Sequence, residues 1–321
     1  MKYVQRGLLF VACSVTVVCL SPTNTDARPV FDASGFGCDK VSVKEIDRFQ
    51  TPGQTCISIL KHKNGKRFIV KQKHQRKSGR WYIGVAREKL GAYIAELAHI
   101  RTNRVEIIPN QYSFPGKHDT KLPATLHEVV PGMKVTFLPK ELKPLKVFIQ
   151  QPEKPTVAIA EWGLTRRVIK DMALHPDLPK IVALDTFIAN ADRHRGNFFY
   201  DKKSDHFFAI DLESSFNKNL ASYACNLIKL MIANKQEIIS EQELAALQVY
   251  RNVLKKLIKQ HSPEGLSRKI VEFAVKGGIR EVMSRKDVAL MMVEDKQSII
   301  KNYASCEKLV LLLDKLMIKH S

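Results

Sequence analysis

The stretch Asn190-Ala191-Asp192-Arg193-His194-Arg195-Gly196-Asn197, completed by Ile210-Asp211, decides how this chain is read. Asp192 and Asn197 stand five positions apart, and Asp211 follows 14 positions later. Between them Phe198-Phe199-Tyr200 and Phe207-Phe208-Ala209-Ile210 have the character of two short strands, joined by the polar run Asp201-Lys202-Lys203-Ser204-Asp205. Such a hairpin returns Asp211 to the side of Asn197. Two carboxylates and an amide oxygen converging at one edge make the hard-oxygen set that Mg²⁺ favours. Phosphoryl transfer asks a protein for little more than this. It needs a carboxylate to receive or orient the acceptor hydroxyl, and oxygen ligands to hold Mg²⁺ against phosphates. The plain alternative is a charged surface loop ending in an ordinary hairpin.

Working outward, Ile181, Val182, Leu184, Phe187 and Ile188 form an apolar helix leading into the motif. Beyond it the pattern is nearly all helical. Ser240 with Glu243 reads as a capping box opening a helix through Leu244, Leu247, Leu254 and Leu257, and Leu309 to Met317 forms another apolar helix. Toward the N-terminus the period changes to two. From Cys56 to Lys71, Ile57, Ile59, Phe68 and Val70 alternate with polar positions around a tight Asn64-Gly65 turn, which predicts a β-hairpin. A helix is predicted from Val85 to Ile100, with Leu90, Tyr93, Ile94, Leu97 and Ala98 on one face, followed by strands over Val105–Ile108 and Thr125–Val130. Pro131, Pro139, Pro144, Pro152 and Pro155 mark the next stretch as an irregular connector. The expected fold class is therefore α+β and bilobal, with a β-rich lobe over 28–132 and a mostly α-helical lobe over 133–321.

The chain has 321 residues, 45% hydrophobic and 26% charged, enough apolar content for a substantial core and unlike a disordered or membrane-spanning chain. Its formal charge of +20 attracts anionic partners such as nucleotides, acidic headgroups or acidic proteins, without choosing among them. Lys2 and Arg6, the apolar run from Gly7 to Leu20, and Thr25-Asp26-Ala27 have the layout of a signal peptide over 1–27. The expectation is an exported protein: periplasmic, secreted or delivered to a host cell. No second apolar segment of spanning length follows. Past Ala27 the cysteines are Cys38, Cys56, Cys225 and Cys306, with no C-x-x-C pair to suggest zinc. Export would permit a disulfide between Cys38 and Cys56, closing a short loop. There is no N-x-S/T sequon, and no helix-turn-helix or other readable nucleic-acid fold.

The motif from Asn190 to Asn197, followed by Ile210-Asp211, resembles the atypical kinases: the phosphoinositide 3- and 4-kinase group, actin-fragmin kinase and the HipA-type kinases. That resemblance implies a protein-kinase-like fold with ATP and Mg²⁺ as cofactors. It makes Asp192 the catalytic residue and Asn197 and Asp211 the metal ligands, with Arg193 and His194 bracing the loop and Asp185 and Asn190 in support. Phe68-Ile69-Val70-Lys71 resembles the strand whose lysine grips ATP phosphates. Glu88 matches the acidic partner of that lysine, Glu96 on the same helix being the other option. Thr125 to Gly132 resembles the connector between lobes, whose backbone around Glu128 and Val130 would hydrogen-bond adenine. Thr51-Pro52-Gly53-Gln54-Thr55 would close over phosphates through backbone N–H groups, although it is no G-x-G-x-x-G.

The chain departs from the protein-kinase pattern after Asp211, where Leu212-Glu213 replaces Phe-Gly; Glu213 is either a further metal ligand or an exposed acid. The likeness covers about residues 50 to 220, and the C-terminal helices carry no family mark. The implied activity is ATP- and Mg²⁺-dependent phosphorylation of a protein Ser or Thr hydroxyl. A lipid (phosphoinositide) or small-molecule kinase is the alternative, for which Lys73, Arg76, Lys77 and Arg80 in the basic stretch 61–80 would seat an acidic headgroup. A catalytically inactive binding protein is the third reading.

Overall fold

The computed structural model describes residues 30–33, 38–43, 55–62, 67–73, 80–108, 123–130, 133–134, 164–193, 197–216, 218–234, 238–281 and 284–320. The segment 1–27, Asn64-Gly65, Gly53, Gln54, His194 and most of the 131–155 connector lie outside the described residues.

The N-terminal part is a six-stranded antiparallel sheet of β1 (Val30–Ala33), β2 (Cys38–Val43), β3 (Thr55–His62), β4 (Arg67–Lys73), β5 (Val105–Ile108) and β6 (Ala124–Glu128), in the order β1-β2-β3-β4-β6-β5. The expected hairpin is β3 and β4, registered from Thr55 opposite Lys73 to Lys61 opposite Arg67. Register also decides which residues share a face. Lys71 stands opposite Thr125 and Ile69 opposite His127, so these four lie on one side of the sheet, while Phe68, Val70 and Leu126 lie on the other. Against the first side runs α1 (Arg80–Leu97). It begins five residues before the predicted Val85, because Tyr82 and Ile83 extend the same buried stripe as Ala86, Leu90 and Ile94. The helix ends where His99 turns left-handed (φ 58°) and the Ile100 N–H bonds back to the Ala95 carbonyl at 2.8 Å.

The same strands correct one expectation. Val41 faces His62 and Val43 faces Leu60, which places Cys38 and Cys56 at opposite ends of the β2–β3 ladder. Their Cα atoms are separated by about nine strand positions, ~30 Å at the rise of an extended chain. A disulfide needs less than about 7 Å, so the Cys38–Cys56 bridge is excluded.

The C-terminal part is helical: α2 (Arg166–Met172), α3 (Leu178–Ile188), α4 (Leu220–Ala233), α5 (Glu241–Gln260), α6 (Pro263–Lys276) and α7 (Arg285–His320). A small sheet of β7 (Met133–Lys134), β8 (Phe198–Asp201) and β9 (His206–Ala209) is set among them in the order β7-β8-β9. β7 falls within the predicted irregular connector; two residues are too few for an alternating pattern, and only their pairing with Tyr200 and Phe199 makes them a strand. The Ser240–Glu243 capping box is formed in both directions at the start of α5. Helix α7 has 36 residues, far longer than the predicted Leu309–Met317. Its inner face is not uniformly apolar: Asn302 is buried there and donates its amide to the Thr186 and Phe187 carbonyls at the end of α3, both at 2.9 Å. One core runs through Leu90 and Ile94 of α1, Ile181 and Leu184 of α3, Leu247 and Tyr250 of α5 and Leu309 and Leu313 of α7. None of the described helices is long and apolar enough to cross a membrane. The fold is α+β, an antiparallel sheet followed by a helical part, as the sequence pattern predicts.

Candidate functional site

The alternation of β4 turns Lys71 toward α1, and there its ammonium meets Glu88. Nζ lies 3.0 Å from Glu88 Oε1 and 3.2 Å from Asp211 Oδ1. Residues 71, 88 and 211 therefore come from β4, α1 and the segment after β9 to share one cation. Glu96, the other option on α1, is exposed and lines a different cavity, away from Lys71.

Burial opposes charge on both partners of the pair. It pushes the Glu88 carboxyl up to about 7, against the pull of Lys71. On Lys71 burial acts downward, and the carboxylates of Glu88, Asp211 and Glu213 outweigh it, leaving the ammonium raised above its ordinary value. The raised lysine speaks for an ionised pair, whereas a carboxyl near 7 stands close to protonation. The contacts decide for the ionised pair: Glu88 is 1% exposed, one oxygen faces Lys71, and the other receives the Thr125 hydroxyl at 3.2 Å.

The loop carrying Asp192 is braced from below. Helix α3 ends at Ala189 in a left-handed conformation (φ 52°), and the Asn190 N–H returns to the Asp185 carbonyl at 2.9 Å. Arg193 then grips Asp185 with two parallel bonds, Nε to Oδ2 at 2.8 Å and Nη2 to Oδ1 at 2.9 Å. Its Nη1 donates to the carbonyls of Asn197 (2.6 Å) and Ile210 (2.7 Å). The guanidinium also stacks over the Phe198 ring, 5.0 Å from the centroid. One buried side chain thus fixes the loop to α3 and to the residue preceding Asp211. Asn190 adds two bonds, Nδ2 to Asp185 (3.0 Å) and the Asp192 N–H to its Oδ1 (3.2 Å). The bracing role expected of Arg193, Asp185 and Asn190 is what these contacts describe.

Asn197 donates Nδ2 to the Asp192 carbonyl at 2.7 Å. With its donor engaged, the amide oxygen is the atom left to act as a ligand. The Ile210 N–H meets the Asn197 carbonyl at 3.1 Å, so Asp211 emerges beside Asn197 as the hairpin pattern requires. Asp211 itself is left-handed (φ 60°), a conformation that costs an L residue energy and that Asp tolerates better than most. What holds it is the next side chain. Leu212 is buried against Gly91 of α1, where a Cβ would lie 2.9 Å from Leu212 Cβ. Gly91 is the close-approach position that lets α1 and the Asp211 segment meet.

Asn197 and Asp211 offer Mg²⁺ one amide oxygen and one carboxylate. Among the described residues no group of three or more His, Cys, Asp and Glu gathers to hold a metal. A pair suffices for Mg²⁺, which ordinarily takes one or two protein oxygens and fills its octahedron with phosphates and water. Of the other expected residues, Thr55 opens β3 opposite Lys73. Glu128 ends β6 with its N–H committed to the Arg104 carbonyl at 3.0 Å, and Val130 follows two residues on. Glu213 is partly exposed, and its charge helps to hold the Lys71 ammonium.

Sequence reasoning missed the layer behind Glu88. Thr125 and His127, two positions apart on a strand whose Ala124 and Leu126 are apolar and buried, point at α1, and Asn103 follows behind them. Their spacing on one strand face was the available signal. A separate cavity of about 520 Å³, lined by Tyr93, Arg101, Lys180, His206 and Glu128 among others, contains none of Lys71, Asp192, Asn197 or Asp211.

No family model and no curated protein matches the chain. Among solved structures it is similar to "Crystal structure of A Helicobacter pylori proinflammatory kinase CtkA", with 12% identity and a TM-score of 0.45, over 88% of this chain and 97% of that one. It is also similar to part of "Complete CtTel1 dimer with C2 symmetry", with 12% identity and a TM-score of 0.39, over 96% of this chain and 13% of that one. Both scores fall below 0.5, and the functional reading rests on the site itself.

Proposed function

We propose that the chain is an ATP- and Mg²⁺-dependent phosphotransferase of the atypical-kinase kind, acting on a protein Ser or Thr hydroxyl. The observation that carries this reading is the meeting of Lys71 with both Glu88 and Asp211, at 3.0 and 3.2 Å, beside a loop that presents Asp192 and Asn197. Lys71 contributes a fixed cation for phosphate oxygens. Asn197 and Asp211 would hold Mg²⁺, which when bound neutralises charge on the phosphates. Asp192 would receive or orient the acceptor hydroxyl, and Arg193 keeps its loop in register with Asp211. The backbone of 128–130 and the segment from Thr51 to Thr55 are assigned to the nucleotide. Lobes at 28–132 and 133–321 belong to the same reading, as does export directed by residues 1–27.

A phosphoinositide acceptor is the second reading, favoured by the charge of +20 and the basic stretch 61–80. The test is incubation of the chain from Arg28 with Mg²⁺, γ-labelled ATP, and protein or phosphoinositide acceptors. Label should pass to protein and fall about 10²-fold or more in Asp192→Ala, the usual scale for loss of a positioned acid–base group. Asp211→Ala should abolish transfer through loss of metal. Transfer unchanged in both variants would overturn the assignment, and label in lipid alone would select the second reading. Recovery of the protein from its own cells with Met1 intact would refute export.

A further inference from the structure

Three buried side chains behind the Lys71–Glu88 pair form a line of hydrogen bonds with a fixed direction. Asn103 Nδ2 approaches His127 Nδ1. An amide nitrogen only donates, so Nδ1 must accept, and the proton of the neutral ring sits on Nε2. That Nε2–H reaches the Thr125 hydroxyl oxygen at 2.7 Å. Having accepted there, Thr125 turns its own single proton to Glu88 Oε2 at 3.2 Å. Glu88, Thr125 and His127 are no more than 2% exposed, and Asn103, at the edge of the line, is 6% exposed. Burial, with the nearby Lys71 cation, keeps His127 well below its ordinary value, which preserves the neutral ring the line requires.

The line is also tied to the other side of the site. The loop that carries Asn103 is stitched to β9: Thr102 donates its hydroxyl to the Ala209 carbonyl at 2.6 Å, and the Ala209 N–H reaches the Arg101 carbonyl at 3.0 Å. β9 leads within two residues to Asp211, the second carboxylate on Lys71. The contacts therefore run from Lys71 through Glu88, Thr125, His127 and Asn103 and return by way of β9.

We infer that Thr125, His127 and Asn103 are positioning residues that hold the Glu88 carboxylate aimed at Lys71, and so set how the lysine is divided between Glu88 and Asp211. The inference deepens the phosphotransferase reading, since it concerns the same lysine, but it concerns the ion pair as it stands without nucleotide. If Thr125 loses its hydroxyl, Glu88 Oε2 is left unpaired in a dry site. The carboxylate then turns away from Lys71 toward another donor, and Lys71 is released toward Asp211, its second carboxylate at 3.2 Å.

The test reads Lys71 directly. The full chain, free of nucleotide, is treated with an amine-directed N-hydroxysuccinimide ester, and the rate of Lys71 acylation is followed by peptide mass spectrometry. Thr125→Val removes the hydroxyl with little change in volume. It should speed labelling on the order of tenfold, as the lysine spends less of its time held against Glu88 by a charge-assisted hydrogen bond. Thr125→Ser restores the hydroxyl and should return the parent rate. His127→Gln, whose amide can both donate and accept, should stay near the parent, whereas His127→Leu should behave like Thr125→Val. If Thr125→Val fails to fold, Thr125→Ala carries the same comparison. Labelling at the parent rate in the folded Val or Ala variant, or no recovery with Ser, overturns the inference. A chain that shows this pattern but does not bind Mg·ATP would refute the phosphotransferase reading and leave the relay standing. Phosphate transfer by a chain without the pattern would refute the relay alone.

Discussion

The two sides of the site are held in different ways. On the sheet side, Glu88 Oε1 takes the hydrogen bond of Lys71, with His127 Nε2 3.6 Å away, Oε2 receives Thr125, and Thr125 depends in turn on His127. On the helical side, Arg193 alone makes two bonds to Asp185 and one each to the Asn197 and Ile210 carbonyls. The first arrangement is serial, so the loss of one member reaches every later one. The second is forked, and its planar geometry fixes several backbone segments at once. The difference suits the assigned roles. Ligands that must present oxygens to a small, exacting cation need a rigid frame, whereas a lysine that turns from carboxylates to phosphates needs one that yields.

The strongest way to break this comparison is Arg193→Ala. It leaves Asp185 buried and uncompensated, and should cost about 3–5 kcal/mol of stability. Denaturant unfolding measures the loss, which should exceed that of Thr125→Val by a wide margin; equal losses would dissolve the contrast. Arg193→Lys keeps the charge without the fork, and should recover only part of both stability and transfer.

Gly91→Ala probes where the two sides meet. Its methyl would press on Leu212 and should cost about 1–3 kcal/mol as overpacking, reduced by up to about 1 kcal/mol through better helix propensity. Because Leu212 adjoins Asp211, transfer should fall further than stability does. Leu212→Gly in the same chain removes both the Cβ and the Cδ1 that the methyl would meet, at 2.9 and 3.1 Å, and should relieve the clash, which a double-mutant cycle would detect as non-additivity.

The smallest effect belongs to pH. His127 is held below its ordinary value of 6.5, so below that pH the unfolded chain takes up a proton that the folded chain refuses. This part of the stability is present above 6.5 and is lost as the pH falls below it. His127→Gln has no such proton, and its unfolding free energy should fall less steeply than the parent's between about pH 7 and pH 5. Parallel curves would place the ring in contact with water and break the serial description of the sheet side.

The helical side was the more legible in the sequence, for a local reason. Asp192, Asn197 and Asp211 are brought together by one short loop and one hairpin, so their spacing carries their geometry. Lys71 and Glu88 could be read because a hairpin and the helix after it place them in a known relation. Thr125 and His127 could not, since their partner is a carboxylate on another element and a strand alone does not say which neighbour a polar side chain faces. Gly91 was silent for the same reason: its meaning is the approach of Leu212, 121 positions away. Helix α7 was read short because Asp295 and Asn302 interrupt its apolar face, although both are engaged there, Asp295 with Arg87 and Asn302 with the end of α3. Cys38 and Cys56 are close in sequence, but strand register separates them in space.

Because the acceptor is unidentified, nucleotide binding tests the central claim most directly. Calorimetric titration of ATP into the full chain, with and without Mg²⁺, and into Asp211→Asn, isolates the metal-dependent part. The account expects binding that strengthens at least about tenfold (1.4 kcal/mol) when Mg²⁺ is present, with that gain absent in Asp211→Asn. ATP that does not bind, or that binds equally well without Mg²⁺ and in the variant, would contradict it.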